Sequence, residues 1–484
     1  MSLDRKSGSP LYRILSTAVK QCILEQRLAP GAALPSARQL AKQYHLSVST
    51  ALRAYEELAS QGYVVTSPKS GSRVADNFDG HKQRTPKSSA AGQTPSGLLR
   101  EAPLSVYGQR LLFAEQLTAA PPEAGVSIPG ADLLPTSVWQ KLLTKYQDCY
   151  EHETALYDYT GECFGHRPLR EAIADFLKRS RGIRCNIEQI VVTSAVRLDL
   201  ACRILLDVGD RVAIENPSFP AARKVLLSHG AELQAINADS DGLNPEPLFA
   251  SPNNRFRMLY LCPSHQDPSG VALSLERRHL ILKWSQRTDT IIWENDFDCN
   301  YYYTETPLPA MHSLVENDTV IYSGSFWLSL GPLASSGFLV VPQRYVKPFQ
   351  SLLSAVQSER PVLENYALTE FISEGHLERR IHKQRTLYAK RRQALMYELT
   401  LALRQLVTFK ASSGLHILIQ FDPGLAEQKI VACAREAGFA LMPTQSYYMN
   451  DHPPNEFIIP FADFDEKTIS SVAKHFAALL LGVG

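Results

Sequence analysis

Two groups of residues in this sequence have types and spacing that could do chemistry. The first lies near the start. Ser47, Ser49 and Thr50 follow one another closely, Arg53 comes one helical turn later, and Ser36, Arg38 and Lys69 flank them. Short hydroxyls donate to phosphates or base edges, and a guanidinium makes bidentate contacts to phosphate or guanine. Each basic residue alone is a solvated charge, but together on one scaffold they point to DNA. The second group is Glu294-Asn295-Asp296-Phe297-Asp298, with the turn around His265 and Gln266 and, far along the chain, His416. His416 reads either as a pocket residue or as a satisfied structural histidine. The eight cysteines are scattered, with no CxxC pair, which implies reduced thiols and no metal site.

The elements that must position the first group are legible. Leu11, Ile14, Ala18, Cys22 and Ile23 predict one apolar helical face, and Pro30-Gly31 ends that helix. Ser36 is placed to cap a second helix, and Ser47 to cap a third that runs to Gly62. YVVT, a turn around Lys69 and SRVAD then predict a two-stranded ribbon. Three helices and a ribbon make a winged helix-turn-helix. Charge agrees: residues 1–75 carry ten Lys/Arg against four Asp/Glu, a net +6 in a chain of formal charge +1, so the remainder is acidic.

Residues 77–104 are rich in Gly, Ser, Pro, Gln and Lys and predict a flexible linker. Beyond it, QIVVTS, RVAIEN, RMLYLCP, TIIWEN, TVIYSG and GFLVVP read as strands alternating with amphipathic helices. Runs apolar throughout suit parallel strands buried on both faces, so an α/β domain with a mainly parallel sheet is expected. A basic helix restarting at about 386, the strands HILIQF and EFIIPF and a last helix predict a small α+β lobe. The expected division is 1–76, 77–104 and 105–484. With no signal peptide and no apolar run of membrane length, the expectation is a cytoplasmic protein.

PLYRILSTAVKQCI, LPSARQLAKQY, VSTALRAYEELASQGYV and SGSRVAD resemble the GntR-type winged helix. The long domain, through YTGECFGHRPLREAIADFL, VGDRVAIENPSFP, CPSHQDPSGVALSLERR and IIWENDFDCNYYY, is similar to the MocR subfamily, where such a head is fused to a fold-type I aminotransferase domain. The resemblance implies a doubly wound large domain with a C-terminal lobe, a homodimer and pyridoxal 5'-phosphate as the family cofactor. Family recognition helices read SRNT where this one has Ser47-Val48-Ser49-Thr50, so Val48 takes the place of an arginine and the base preference should differ.

The same resemblance implies a degenerate cofactor site. Pyridoxal phosphate catalysis needs a Schiff-base lysine, an acid on the pyridine nitrogen and cations for phosphate and carboxylate. Leu328 stands where the lysine belongs, in Gly324-Ser325-Phe326-Trp327-Leu328, and no lysine occurs between Lys283 and Lys347. Ser335 replaces an arginine, Asn295 the acid, Phe297 a tyrosine and Ile458 a carboxylate-binding arginine. The phosphate turn reads Ser194-Ala195-Val196-Arg197, and Phe219, His265 and Ser325 complete the pocket positions. No covalently bound cofactor is expected. A filled apolar core and a site for a hydrophobic ligand are both open readings of such a pocket, with noncovalent pyridoxal phosphate a third. The function implied is a sequence-specific transcriptional regulator, partnered by double-stranded DNA, a second copy and a small-molecule effector, with no membrane. The alternatives are a working aminotransferase with a tethered DNA-binding head, and a constitutive DNA-binding dimer without a ligand.

Overall fold

The computed structural model describes residues 10–24, 27–44, 46–67, 71–75, 104–118, 134–150, 163–194, 197–250, 255–303, 307–314, 318–356, 362–410, 414–438, 440–462, 464 and 466–482. The chain divides into two compact units, Met1–Glu101 and Ala102–Gly484. The linker expected at 77–104 lies outside the described residues, apart from Leu104.

The first unit contains α1 (Leu11–Leu24), α2 (Ala37–Tyr44), α3 (Val48–Ser60), β1 (Val64–Ser67) and β2 (Gly71–Val74). The antiparallel ribbon pairs Val64 with Val74, and Ala33 adds a bridge to Arg73. This is the expected winged helix. The face of α1 is shifted from the expected one: Leu15 and Val19 are buried with the expected Ile23, while Ile14, Ala18 and Cys22 are half-buried and Leu11 is 43% exposed. The i, i+4 row of Leu15, Val19 and Ile23 shares a core with the small residues Ala51 and Ala54 of α3, and that partner surface decides which row turns inward.

In chain order the second unit runs α4 (Val106–Thr118), α5 (Thr136–Tyr150), α6 (Arg167–Arg181), β3 (Ile190–Ser194), α7 (Leu198–Leu205), β4 (Arg211–Asn216), α8 (Pro220–Ser228), β5 (Glu232–Asp239), β6 (Gly242–Leu243), α9 (Glu246–Phe249), β7 (Met258–Leu261), α10 (Leu275–Thr288), β8 (Ile291–Asn295), β9 (Val320–Ser325), α11 (Trp327–Leu330), β10 (Ser336–Val340), α12 (Val346–Val356), α13 (Val362–Ser373) and α14 (His376–Leu403). It ends with β11 (Val407–Phe409), β12 (His416–Phe421), α15 (Glu427–Ala437), β13 (Met442–Pro443), β14 (Glu456–Pro460) and α16 (Glu466–Leu481).

The large sheet has the order β3-β10-β9-β8-β7-β4-β5-β6. Strands β5, β4, β7, β8 and β9 are parallel neighbours. β10 runs antiparallel to both β3 and β9. All six predicted strands are present, and β4, β7 and β8 are buried nearly throughout, as two covered faces require. β5, ELQAINAD, was not predicted; only the two-residue β6 lies beyond it, so it is half open and its sequence mixes polar and apolar residues. The small sheet, β11-β12-β14-β13, is antiparallel. The basic stretch expected to open the small lobe at about 386 is the middle of one continuous helix, α14. Its Leu395, Leu399 and Leu403 join Ile417, Ile419 and Phe457 in the small-lobe core.

Candidate functional site

Candidate groups of the first unit lie on an exposed surface. Ser36 and Gln39 cap α2 reciprocally: Gln39 N donates to Ser36 Oγ (3.3 Å) and Ser36 N to Gln39 Oε1 (2.9 Å). Ser47 caps α3, its Oγ accepting from Thr50 N at 3.1 Å. The same Oγ lies 2.8 Å from Ser49 Oγ and 2.7 Å from Thr50 Oγ1, so the three hydroxyls form one small network. Arg38 is exposed on α2. The Arg53 guanidinium lies 4.3 Å over the Tyr12 ring. Beneath this surface Tyr55 donates to Pro35 O (2.7 Å) and burial pushes its hydroxyl up to about 12. Lys69 lies outside the described residues.

In the second unit the candidate groups gather at the carboxyl ends of the parallel strands, where open α/β sheets bind ligands. β8 ends in Asn295, whose Nδ2 donates to Tyr260 Oη (3.0 Å) and Cys262 Sγ (3.5 Å). Both of that amide's hydrogens therefore face the protein. Glu294 accepts from Met311 N (2.7 Å) and His312 N (2.8 Å), and burial, with the Asp296 charge, pushes it up to about 7. Burial alone would raise Asp296 as well. Arg181 at 2.8 Å, with donors on Ser264 and Tyr322, instead holds it below the ordinary carboxylate range. His265 Nδ1 sits 3.1 Å from Asp298 Oδ1.

Leu328, on α11, does not project into an open space. It is 8% exposed and packs in one apolar cluster with Tyr301, Tyr388, Leu395, Leu415 and Phe461, with Phe297 against the same cluster. Its carbonyl accepts from Tyr301 Oη at 3.0 Å. Ser325 Oγ accepts from Trp327 N (3.1 Å) and so begins that short helix. Ser335 is exposed, its hydroxyl 3.4 Å from Glu364 Oε2. Ile458 is buried with Leu418 and Met442 beside Tyr447. Ser194 is exposed, and Arg197, 3.5 Å from its Oγ, is paired bidentately to Asp199 at 2.7 and 2.9 Å. Ala195 lies outside the described residues, and Phe219 is exposed just ahead of α8. His416 shares a hydrogen bond with Pro268 O (2.9 Å) and burial pushes its pKa down, as for a satisfied structural histidine. Gly414, at φ +80°, approaches Asp298 so closely that a Cβ would collide with Oδ2.

Sequence reasoning passed over two acids at the same strand ends. Asp267 is 7% exposed, its carboxylate accepts no hydrogen bond among the described residues, and burial together with Asp298 pushes it up to about 7. Glu215 accepts from Cys262 N (2.7 Å), leaves Oε1 without a partner among the described residues, and is pushed up to about 8 by burial. Near Asp267 come Tyr447 and Tyr260, whose hydroxyls burial raises. An acid beside a proline in CPSHQDPSG reads locally as a turn residue; only tertiary burial distinguishes it. Among the described residues no cluster of His, Cys, Asp and Glu could hold a metal, no helix is long and apolar enough to cross a membrane, and seven cysteines are unpaired.

Residues 11–74 match the family described as bacterial regulatory proteins, gntR family, and residues 130–476 match aminotransferase class I and II. The uncharacterized HTH-type transcriptional regulator YhdI of Bacillus subtilis (strain 168) is 30% identical over 470 residues, spanning 96% of this chain and 95% of its own. The probable rhizopine catabolism regulatory protein MocR of Rhizobium meliloti is 30% identical over 487 residues, spanning 99% of this chain and 96% of its own. The second unit has the fold of LysN, an alpha-aminoadipate aminotransferase from Thermus thermophilus, with a TM-score of 0.67 at 23% identity over 78% of this chain and 97% of that one.

Proposed function

The chain belongs to the MocR-type GntR regulators, with a winged helix fused to an aminotransferase-type fold, and on that premise we propose how its two units divide the work. The protein is a DNA-binding transcriptional regulator, and its relatives over nearly the whole chain are named regulators. In our reading residues 1–76 read the operator, using Ser36, Arg38, Ser47, Ser49, Thr50, Arg53 and Lys69. Residues 77–104 join that head to a body, 105–484, that holds two copies together in the cytoplasm and does not transaminate.

One observation carries the last point: position 328 holds a leucine side chain packed into the small-lobe core. A pyridoxal phosphate enzyme needs an amine there, a charged acid on the ring nitrogen and a cation for the phosphate. Asn295 offers a neutral amide already bonded to Tyr260 and Cys262, and Arg197 is already paired with Asp199. The residues present do not fit the coenzyme, so we derive no step through it. Of the open readings of this pocket, the filled core is supported at position 328, and any effector is held noncovalently.

The test is equilibrium binding of the full chain to the DNA upstream of its own gene. Affinity should fall steeply with salt, because phosphate contacts release counterions. Arg38→Ala or Arg53→Ala should each cost about 1–3 kcal/mol. Binding that is absent, or indifferent to salt, contradicts the assignment.

A further inference from the structure

The leading edge of α3 carries an apolar pair that the head does not use. Val48 and Leu52 lie one turn apart on one face and are 42% and 50% exposed, while Ala51, Ala54, Tyr55 and Leu58 supply the inward face of the same helix. The polar groups around the pair have partners within the head and stay accessible at its surface. Ser47, Ser49 and Thr50 share a hydroxyl network, with Ser47 also capping the helix. The Arg53 guanidinium lies over the ring of Tyr12, 4.3 Å away, and remains exposed.

A recognition helix enters the major groove with its N-terminal residues toward base edges. There the base pairs offer a code of donors and acceptors and one hydrocarbon group, the 5-methyl of thymine. The head carries a net +6 over residues 1–75, which favours a polyanion as the partner of the unit that bears this pair. We propose that Val48 and Leu52 are specificity residues that pack against a thymine methyl in each operator half-site. The proposal rests on the DNA-binding reading above and adds the chemistry by which that reading selects sequence.

Replacing thymine by deoxyuridine tests it, since this removes the methyl and keeps every hydrogen-bonding group. Duplexes are selected from a random pool with the full-length protein, and the selected duplex is compared with its deoxyuridine counterpart. The expected loss is about fourfold per half-site, the weight of one buried methyl, and about sixteenfold for two. Val48→Ala with Leu52→Ala, both at exposed positions, should bind the two duplexes equally. Arg38→Ala should weaken both and keep their ratio. Equal binding of both duplexes by the unaltered protein overturns the proposal, as does a double variant that keeps the ratio. A protein that selects no duplex at all removes the DNA reading itself, and the proposal with it.

Discussion

The head and the body handle their polar groups in opposite ways. In the head, Ser36, Arg38, Ser47, Ser49 and Arg53 stand exposed on α2 and α3 or at their N-termini, over a small core whose polar bonds are local. In the body, the corresponding chemistry is turned inward. Asn295 is bonded to Tyr260 and Cys262, Asp296 to Arg181 and Tyr322, and Leu328 is part of the core. A surface that must meet a partner keeps its groups exposed, whereas the body pairs Asn295 and Asp296 internally, packs hydrocarbon around Leu328 and leaves Glu215 Oε1 without a partner among the described residues. On the proposed reading, the aminotransferase fold persists as architecture without catalysis.

Deleting residues 105–484 should break the comparison most severely. If the body joins two weak heads, the isolated head should bind the operator at least about a hundredfold more weakly than the full chain, read by fluorescence anisotropy. Equal affinities would mean that the body contributes nothing to DNA binding. Next, Leu328→Lys should destabilise the body by about 3 kcal/mol in urea unfolding, because it places a cation in an apolar cluster. Leu328→Met, which keeps the volume, should cost less than about 1.5 kcal/mol. A lysine tolerated without loss would mean that an open site faces position 328.

The smallest effect is a pH dependence. Asp267 and Glu215 have folded values raised to about 7 and about 8, well above the ordinary carboxylate range. Groups shifted upward bind protons more tightly when folded, so their contribution is full below about pH 4 and is lost as pH rises through 7 to 8. The body should therefore lose stability as pH rises from about 4 to about 8 and level off above that, and Asp267→Asn should flatten the profile. A body whose stability is unchanged across that window would mean that these acids are not buried uncharged.

The two units also differ in how far the sequence discloses them. The helix start at Ser47 is local chemistry, a capping hydroxyl with the amide three residues on, and it is where the sequence places it. β4, β7 and β8 were legible because burial on both faces demands an unbroken apolar run. β5 was not, because its open position permits ELQAINAD. The face of α1 depended on the partner residues Ala51 and Ala54, and no periodicity within α1 contains them. In the body, the resemblance directs attention to positions 295, 297 and 328. Whether that site is filled or open is decided by long-range packing of α14 and β12 against α11, and Asp267 shows itself only through burial.

A body relieved of catalysis is tested most directly by borohydride reduction of the protein purified from cells and supplied with pyridoxal phosphate, followed by peptide mapping. The expected result is no visible absorption band, no stoichiometric coenzyme adduct in residues 324–337 and undiminished operator binding. A yellow protein with a stoichiometric adduct at a lysine of the body would contradict it and place the protein among the coenzyme-dependent members of its family.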